Sequence, residues 1–331
     1  MISAHNLRDR GLDLAFAAGW AAINRLPERV AAAGFRAAAD VAVRRQSKGV
    51  RRLRVNLRRV VGPRYPEPEF DVLVKSAMRS YGRYWMETFR LPAMDLDEVA
   101  ARVHANTEGI EHIDRAMAAG RGLILALPHM GNWDVAAIWL IKHGVPFTTV
   151  AERLRPESLY NRFVAFREGI GMRVVALTGG PRPAAEILAA RLRKGECVCL
   201  VADRDLSRSG VNVEFFGATA RMPGGPALLA ATTGATLLSV GLWFQSDDGW
   251  GQHISPPVEL PQQQQRRLRE QVAVGTQTLA DAFATYIAAH PSDWHMLQRL
   301  WLADLEESGT RGHALEAPLV PGAASTRTTG G

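Results

Sequence analysis

The sequence predicts an α/β fold: a central, mostly parallel, twisted sheet flanked by helices, with an amphipathic helical arm ahead of it. Three observations carry this. From residue 123 to residue 205 short apolar runs alternate with helix-length segments, the order that gives parallel strands joined by helical crossovers. The run Leu123–Leu127 is apolar at every position, as expected of a strand covered on both faces. Residues 1–66 read instead as Ala-rich helices, with arginines gathered on one side and no acid from residue 41 through residue 66.

At 331 residues the chain can bury the core of one large domain with a small appendage. A net charge of +7 calls for an anionic partner, whether nucleic acid, membrane surface or acidic ligand. Cys197 and Cys199 alternate along one strand and cannot bridge each other there, which suits a reducing compartment. No apolar run reaches transmembrane length, and the amino terminus lacks a signal-peptide apolar region, so the expectation is a chain kept in the cytoplasm, on a membrane.

In the arm, Leu12, Phe16, Trp20 and Ile23 share one helical face. Pro27 ends that pattern, and a second helix carries Val30, Phe35 and Val41. A third puts Arg44, Lys48, Arg51, Arg52, Arg58 and Arg59 on one side and Val43, Val50, Leu53 and Leu57 on the other. This matches an interfacial membrane anchor, with Leu12, Phe16 and Trp20 entering the interface and Arg51 and Arg52 meeting anionic lipid. The alternative is that the helices pack on the core and the arginines face water. Nucleic acid is not expected, because no zinc site, helix-turn-helix or stacking-aromatic pattern accompanies the arginines.

Residues 69–91 form a helix whose bulky apolar face (Phe70, Val74, Met78, Tyr81, Tyr84, Trp85) belongs to the core or to a pocket wall. Residues 103–106 look like a short strand before a helix at 109–119. The central strand stops at Pro128, Gly131 and Asn132 make a turn, and a helix covers 134–143. Strands follow at 145–151, 172–177 and 197–202, separated by helices at 156–168 and 182–193. Beyond them come a short strand at 213–217, a helix from Pro226 to Thr233, a hairpin of 236–244 with 250–254 through Asp247 and Asp248, and a long helix at 264–289. The Gly/Ser/Thr-rich tail reads as disordered. The expected division is an arm at 1–66, an α/β domain at 67–304 and a tail at 305–331.

Open α/β sheets bind ligands outside the carboxyl ends of their strands, and His129 stands at such an end. The five-residue step to Asp134 allows the carboxylate to fold back and accept from Nδ1–H, fixing the tautomer and leaving Nε2 as a base. The alternative is that His129 closes the turn and Asp134 merely favours a helix amino terminus. Glu152, Arg153, Asp203, Arg204 and Asp205 also end strands on that side, and their convergence argues for a site. A hydrolase would call for a Gly-x-Ser-x-Gly elbow, which does not occur.

Several blocks resemble, in order over roughly residues 100–302, the membrane acyltransferases that include the lipid A late and glycerolipid acyltransferases. They are His129-x-Gly-Asn-Trp-Asp134, Glu152-Arg153 with Arg167-x3-Gly171, Asp203-x-Asp205, Phe215-Phe-Gly217 with Pro223-x-Gly225-Pro226, and His290-Pro-x-x-Trp294. The run from Asp203 to Gly210 and the basic arm look most like the actinobacterial phosphatidylinositol mannoside acyltransferases, which often carry Glu in place of Asp203. The resemblance implies transfer of a long acyl group, palmitoyl above all, from acyl-CoA to a mannose hydroxyl at the cytoplasmic face of the plasma membrane. His129 and Asp134 would be the catalytic dyad, with no metal or other cofactor, because the acyl group arrives already activated. Glu152, Arg167 and Asp203, with Arg204 and Asp205, would hold the dyad or the acceptor. Amides near Gly131, or Arg167, would receive the oxyanion. The implied partners are acyl-CoA, a glycolipid and an anionic membrane. A lipid A-like or lysophospholipid acceptor, a thioesterase or a non-catalytic membrane-binding protein are the alternatives.

Overall fold

The strand that the apolar run Leu123–Leu127 predicts lies at the centre of a seven-stranded sheet, and each of its residues is buried. The computed structural model describes residues 19–152, 157–205, 209–245, 249–261 and 267–306. Ahead of the sheet are a helical stretch at residues 19–25 (α1), α2 (Glu28–Arg44), α3 (Lys48–Val61), α4 (Glu67–Arg90) and α5 (Leu96–His104). Then follow β1 (Thr107–Glu108), α6 (Ile110–Ala118), β2 (Leu123–Leu127), α7 (Trp133–Lys142), β3 (Phe147–Ala151), α8 (Glu157–Gly169), β4 (Arg173–Ala176), α9 (Ala184–Leu192) and β5 (Cys197–Val201). A separate hairpin, β6 (Val211–Phe215) with β7 (Ala218–Met222), precedes α10 (Gly225–Thr233), β8 (Thr236–Phe244), β9 (Trp250–Ile254), α11 (Leu268–Ala289) and α12 (Leu302–Glu306).

The sheet order is β1-β9-β8-β2-β5-β3-β4. All its pairs are parallel except β8 with β9, which the expected hairpin makes antiparallel. The chain steps from β2 out to β3 and β4, then returns through α9 to insert β5 between β2 and β3. The carboxyl ends of β2, β3 and β5 therefore open on one edge of the sheet.

The arm differs from its expectation. α3 turns Val50, Leu53 and Leu57, all fully buried, into the same core as the sheet, and its buried Asn56 donates to Met296 O and Gln298 O. Its arginines meet protein acids. Arg52 and Arg59 both reach Asp304, at 2.9 and 2.7 Å, and Arg54 and Arg58 pair with Glu67. Arg51 donates to Gln46 O. Trp20 also points inward: its Nε1–H donates to Phe89 O at 2.9 Å, and its ring meets Phe89, Phe163 and Phe166. Trp20 and Arg52 are therefore parts of the folded core rather than membrane contacts, because the chain itself supplies their partners. Leu12 and Phe16, the 247–248 turn, the start of the 264–289 helix and most of the 305–331 tail lie outside the described residues. Among the described residues no helix is long and apolar enough to cross a membrane.

Residues 103–106 belong to the end of α5 and the turn after it rather than to a strand. Asp95 caps that helix, accepting from the amides of Asp97 and Glu98, and the helical spacing of Val99, Ala100 and Val103 buries one face.

Candidate active site

β2 and β5 run side by side with Leu127 opposite Val201. The pairing continues one step further, where Ala202 N–H donates to Leu127 O at 2.8 Å. That register brings His129 level with Asp203. His129 Nδ1 is 2.5 Å from Asp203 Oδ1, while Oδ2 accepts from the backbone N–H of His129 at 3.0 Å and from Trp294 Nε1–H at 2.9 Å. Asp203 is fully buried, and the His129 side chain is 27 % exposed. Burial pushes the Asp203 carboxyl up. The charge and hydrogen bonds of His129, with the indole of Trp294, outweigh burial and hold it below the ordinary carboxylate value. A carboxylate on Nδ1 makes that nitrogen the donor and leaves Nε2 bare, and among the described residues nothing bonds to Nε2. The edge of the Trp133 ring stands against the imidazole, with centroids 5.7 Å apart.

The expected pairing of His129 with Asp134 is thus replaced by His129 with Asp203. Asp134 is buried in the first turn of α7, where the Asn132 side chain caps the helix by accepting from the amides of Asp134 and Val135 at 3.1 and 3.2 Å. The cap turns the Asp134 carboxylate toward α4 and α8. There Oδ1 accepts from Arg167 Nε at 2.9 Å, and Oδ2 accepts from Arg167 Nη2, Tyr84 Oη and Thr88 Oγ1, each at 3.4 Å. Burial works against the Arg167 charge, but Asp134 overrides it and holds the guanidinium above its ordinary value.

Gly131 cannot serve as an oxyanion donor, because its N–H already donates to Asp293 O at 2.9 Å. The amides of His129 and Met130 are likewise engaged, with Asp203 Oδ2 and Pro128 O. Gly131 has another reason to be glycine. At φ +57° a Cβ would stand 2.8 Å from the carbonyl carbon of Leu242. Of the oxyanion candidates, Arg167 remains.

Glu152 and Arg204, each just past the end of its strand, pair at 3.0 Å. Asp205 accepts from Gly210 N–H at 2.9 Å. The site edge therefore holds the charged groups that strand ends suggested, mostly paired with one another, while Arg153 lies outside the described residues. Behind His129 an apolar cavity of about 100 Å³ runs between α7 and the sheet, with Leu127, Trp133, Val150, Val201, Leu242 and Ile254 among its walls. Asp134 and Arg167, paired with each other, are among its polar wall residues. Its walls span β3, β5, β2, β8 and β9, four strand spacings or on the order of 19 Å.

Three buried groups near the site were not among the expected site residues. Glu87 of α4 accepts from Asn132 Nδ2 at 2.8 Å and Trp250 Nε1 at 2.9 Å, and burial pushes its carboxyl up against the pull of Arg83. Asp293 accepts from Ser80 Oγ and from the Phe244 amide, and burial raises it too. His295 sits 2.9 Å from Ser80 Oγ, and burial, then the charge of His129, pushes it down to about 3. For Asp293 and His295 the His290-Pro-x-x-Trp294 block was the available hint.

The pattern of the bacterial lipid A biosynthesis acyltransferases matches residues 5–303. The chain is 49 % identical over 295 residues to a phosphatidylinositol mannoside acyltransferase of Mycolicibacterium smegmatis, covering 89 % of this chain and 93 % of that protein. It is 49 % identical over 296 residues to the protein of the same description from Mycobacterium tuberculosis, covering 89 % and 90 %. A lipid A biosynthesis acyltransferase of Haemophilus influenzae is 27 % identical over 169 residues, half of each chain.

Proposed function

Because the chain belongs to the bacterial lipid A biosynthesis acyltransferase family and is an acyltransferase, we propose that it moves a long-chain acyl group, palmitoyl above all, from acyl-CoA to a mannose hydroxyl of a phosphatidylinositol mannoside. The observation that carries the mechanism is the bare Nε2 of His129, backed by a buried carboxylate, its ring against Trp133, a wall residue of the apolar cavity. The two relatives at 49 % identity support the acceptor.

A sugar hydroxyl holds its proton far above neutral pH and must give it up as its oxygen attacks the thioester carbonyl carbon. His129 Nε2 takes that proton, and Asp203 stabilises the imidazolium that forms, help worth about 10²–10⁴-fold. The oxyanion then collapses, the C–S bond breaks, and the imidazolium returns the proton to the departing thiolate. Free CoA and the acylated lipid leave. Arg167, fixed by Asp134 on the cavity wall, supplies positive charge to the oxyanion. The acyl chain lies along the cavity, and the Glu152–Arg204 pair borders the acceptor. No metal or further cofactor enters the reaction.

The enzyme works as a peripheral protein at the cytoplasmic face of the membrane. Leu26 and Val30, 41 % and 53 % exposed, stand beside exposed Arg25 and Arg29, a face suited to an anionic lipid surface.

The test is transfer from radiolabelled palmitoyl-CoA to a panel of lipid acceptors, wild type beside His129→Ala. Labelled phosphatidylinositol mannoside, absent from the variant, is the expected result. Label on another lipid would overturn the acceptor. Release of free fatty acid alone, or equal activity in the variant, would overturn the mechanism.

A further inference from the structure

Trp294 reaches Asp203 on a segment built around the His129 turn. A short turn at Pro291–Asp293 leads into Trp294, whose backbone pairs with Met130 in an isolated antiparallel bridge. On either side of that bridge Gly131 N–H donates to Asp293 O, and His295 N–H donates to His129 O at 2.7 Å. The segment is pinned from behind, where the Asp293 carboxylate accepts from Ser80 Oγ of α4 at 2.7 Å and from the Phe244 amide of β8 at 3.0 Å. The indole is fully buried and packs edge-on against Phe215 and Trp301. No solvent reaches it to replace its N–H.

The terminal torsion of an aspartate is soft. Among the described residues the donors to Asp203 are His129 Nδ1, the His129 amide and the Trp294 indole, and of these the indole alone is independent of His129. Removing it leaves the carboxylate plane set by the very residue that the carboxylate must orient.

We propose that Trp294 is a positioning residue for acyl transfer: its indole N–H fixes the plane of the Asp203 carboxylate so that Oδ1 meets His129 Nδ1 and Nε2 faces the acceptor. The proposal rests on the reading of His129 as general base. The same N–H is one of the bonds that keep buried Asp203 ionised, after the larger effects of burial and of the His129 charge. Hydrogen bonds to charged groups in a dry interior are stronger than neutral ones, and so is the effect of losing one.

The experiment compares Trp294→Phe with Trp294→3-benzothienylalanine, an isostere that keeps the bicyclic shape and puts sulfur in place of the N–H. Trp301→Phe is the control, since it removes a neighbouring buried indole whose N–H goes to Phe215 O instead. Both Trp294 variants should lose about 10- to 100-fold in kcat, the weight of one hydrogen bond to a charged group. KM for acyl-CoA and acceptor should stay within about twofold. In an Asp203→Asn background the isostere should cost nothing further, because both changes break one linkage. Trp301→Phe should lower the melting temperature and leave kcat within about threefold.

A folded isostere variant with wild-type kcat overturns the proposal, as does a loss that multiplies with that of Asp203→Asn. If His129→Ala or Asp203→Asn themselves retain full activity, the base reading has failed and the proposal fails with it. Activity lost in those two but kept in the isostere variant sinks the role of Trp294 alone.

Discussion

At the residue scale the two acids of the site carry different loads, and substitution separates them. Asp203→Asn keeps the volume but puts the wrong partner on Nδ1, so kcat should fall by about 10²–10⁴-fold with the fold retained. Asp134→Asn leaves the Arg167 guanidinium, 19 % exposed, without its carboxylate. Breaking a buried pair costs about 3–5 kcal/mol, so this variant should first show a lowered melting temperature. Kinetics beside thermal melting of both variants checks the division, and equal effects on stability and rate would erase it. A second residue-scale prediction concerns His295, held at about 3 in the folded protein against about 6.5 in an unfolded chain. Between those values the unfolded chain binds a proton that the folded one refuses. The stability at stake is whole above about pH 6.5 and is lost as pH falls, by up to about 1.4 kcal/mol per unit. From pH 7 to 5.5 the melting temperature of wild type should therefore drop more than that of His295→Gln, and parallel curves would show that His295 does not drive the loss. The position of His129 was legible in the sequence because an apolar run ended beside it. Its partner was misread because the step to Asp134 is local, whereas Asp203 lies 74 residues away. The clue lay in counting: both residues stand two places past the end of an apolar strand, and adjacent parallel strands in register bring such places together.

At the scale of elements, the turn between β2 and α7 is held from both ends. Asn132 caps α7 through its side-chain oxygen and gives its amide N–H to buried Glu87. Asn132→Ala should cost about 0.5–2 kcal/mol for the cap, and more for the donor that Glu87 loses. Asn132→Ser restores the cap without reaching Glu87, so urea denaturation should place it between wild type and the alanine variant. Equal stability of Ser and Ala variants would mean that the Glu87 contact dominates. The strands and crossover helices around this turn were readable from periodicity and length. The β6–β7 hairpin was not, because its turn places Phe216 and Gly217 at φ +51° and +72°, and phenylalanine is no usual signal for a primed turn. The 103–106 segment failed in the opposite sense: Val103-His-Ala-Asn106 looked like a short strand, and the helix that Asp95 caps runs on through His104.

At the scale of the whole molecule the basic charge divides into two populations. Arg52, Arg54, Arg58 and Arg59 are spent on Asp304, Glu67 and Asp71, tying α3 to α4 and α12. Arg25, Arg29 and Arg36 are exposed, alongside the uncovered Leu26 and Val30. The sequence could not make this division, since an amphipathic arginine-rich helix looks the same whether its arginines meet lipid or protein acids. Interior and surface variants should therefore act on different measurements. Arg59→Ala should lower the melting temperature and leave vesicle binding unchanged. Arg29→Ala should leave the melting temperature unchanged and weaken binding to anionic vesicles about fivefold, the equivalent of about 1 kcal/mol for one basic residue at the surface. Val30→Glu should weaken it further by removing apolar contact as well. The Arg29 effect should shrink as salt is raised from 0.15 M toward about 1 M, where the screening length falls from about 8 Å to about 3 Å, while the Val30 effect persists. Co-sedimentation with anionic and neutral vesicles at two salt concentrations distinguishes these cases. α1 joins this face to the chemistry, because Trp20 packs on Phe163 and Phe166 of α8, the helix that carries Arg167. If Val30→Glu binds vesicles as wild type does, α2 is not the membrane face and the link from lipid surface to site through Trp20 falls with it.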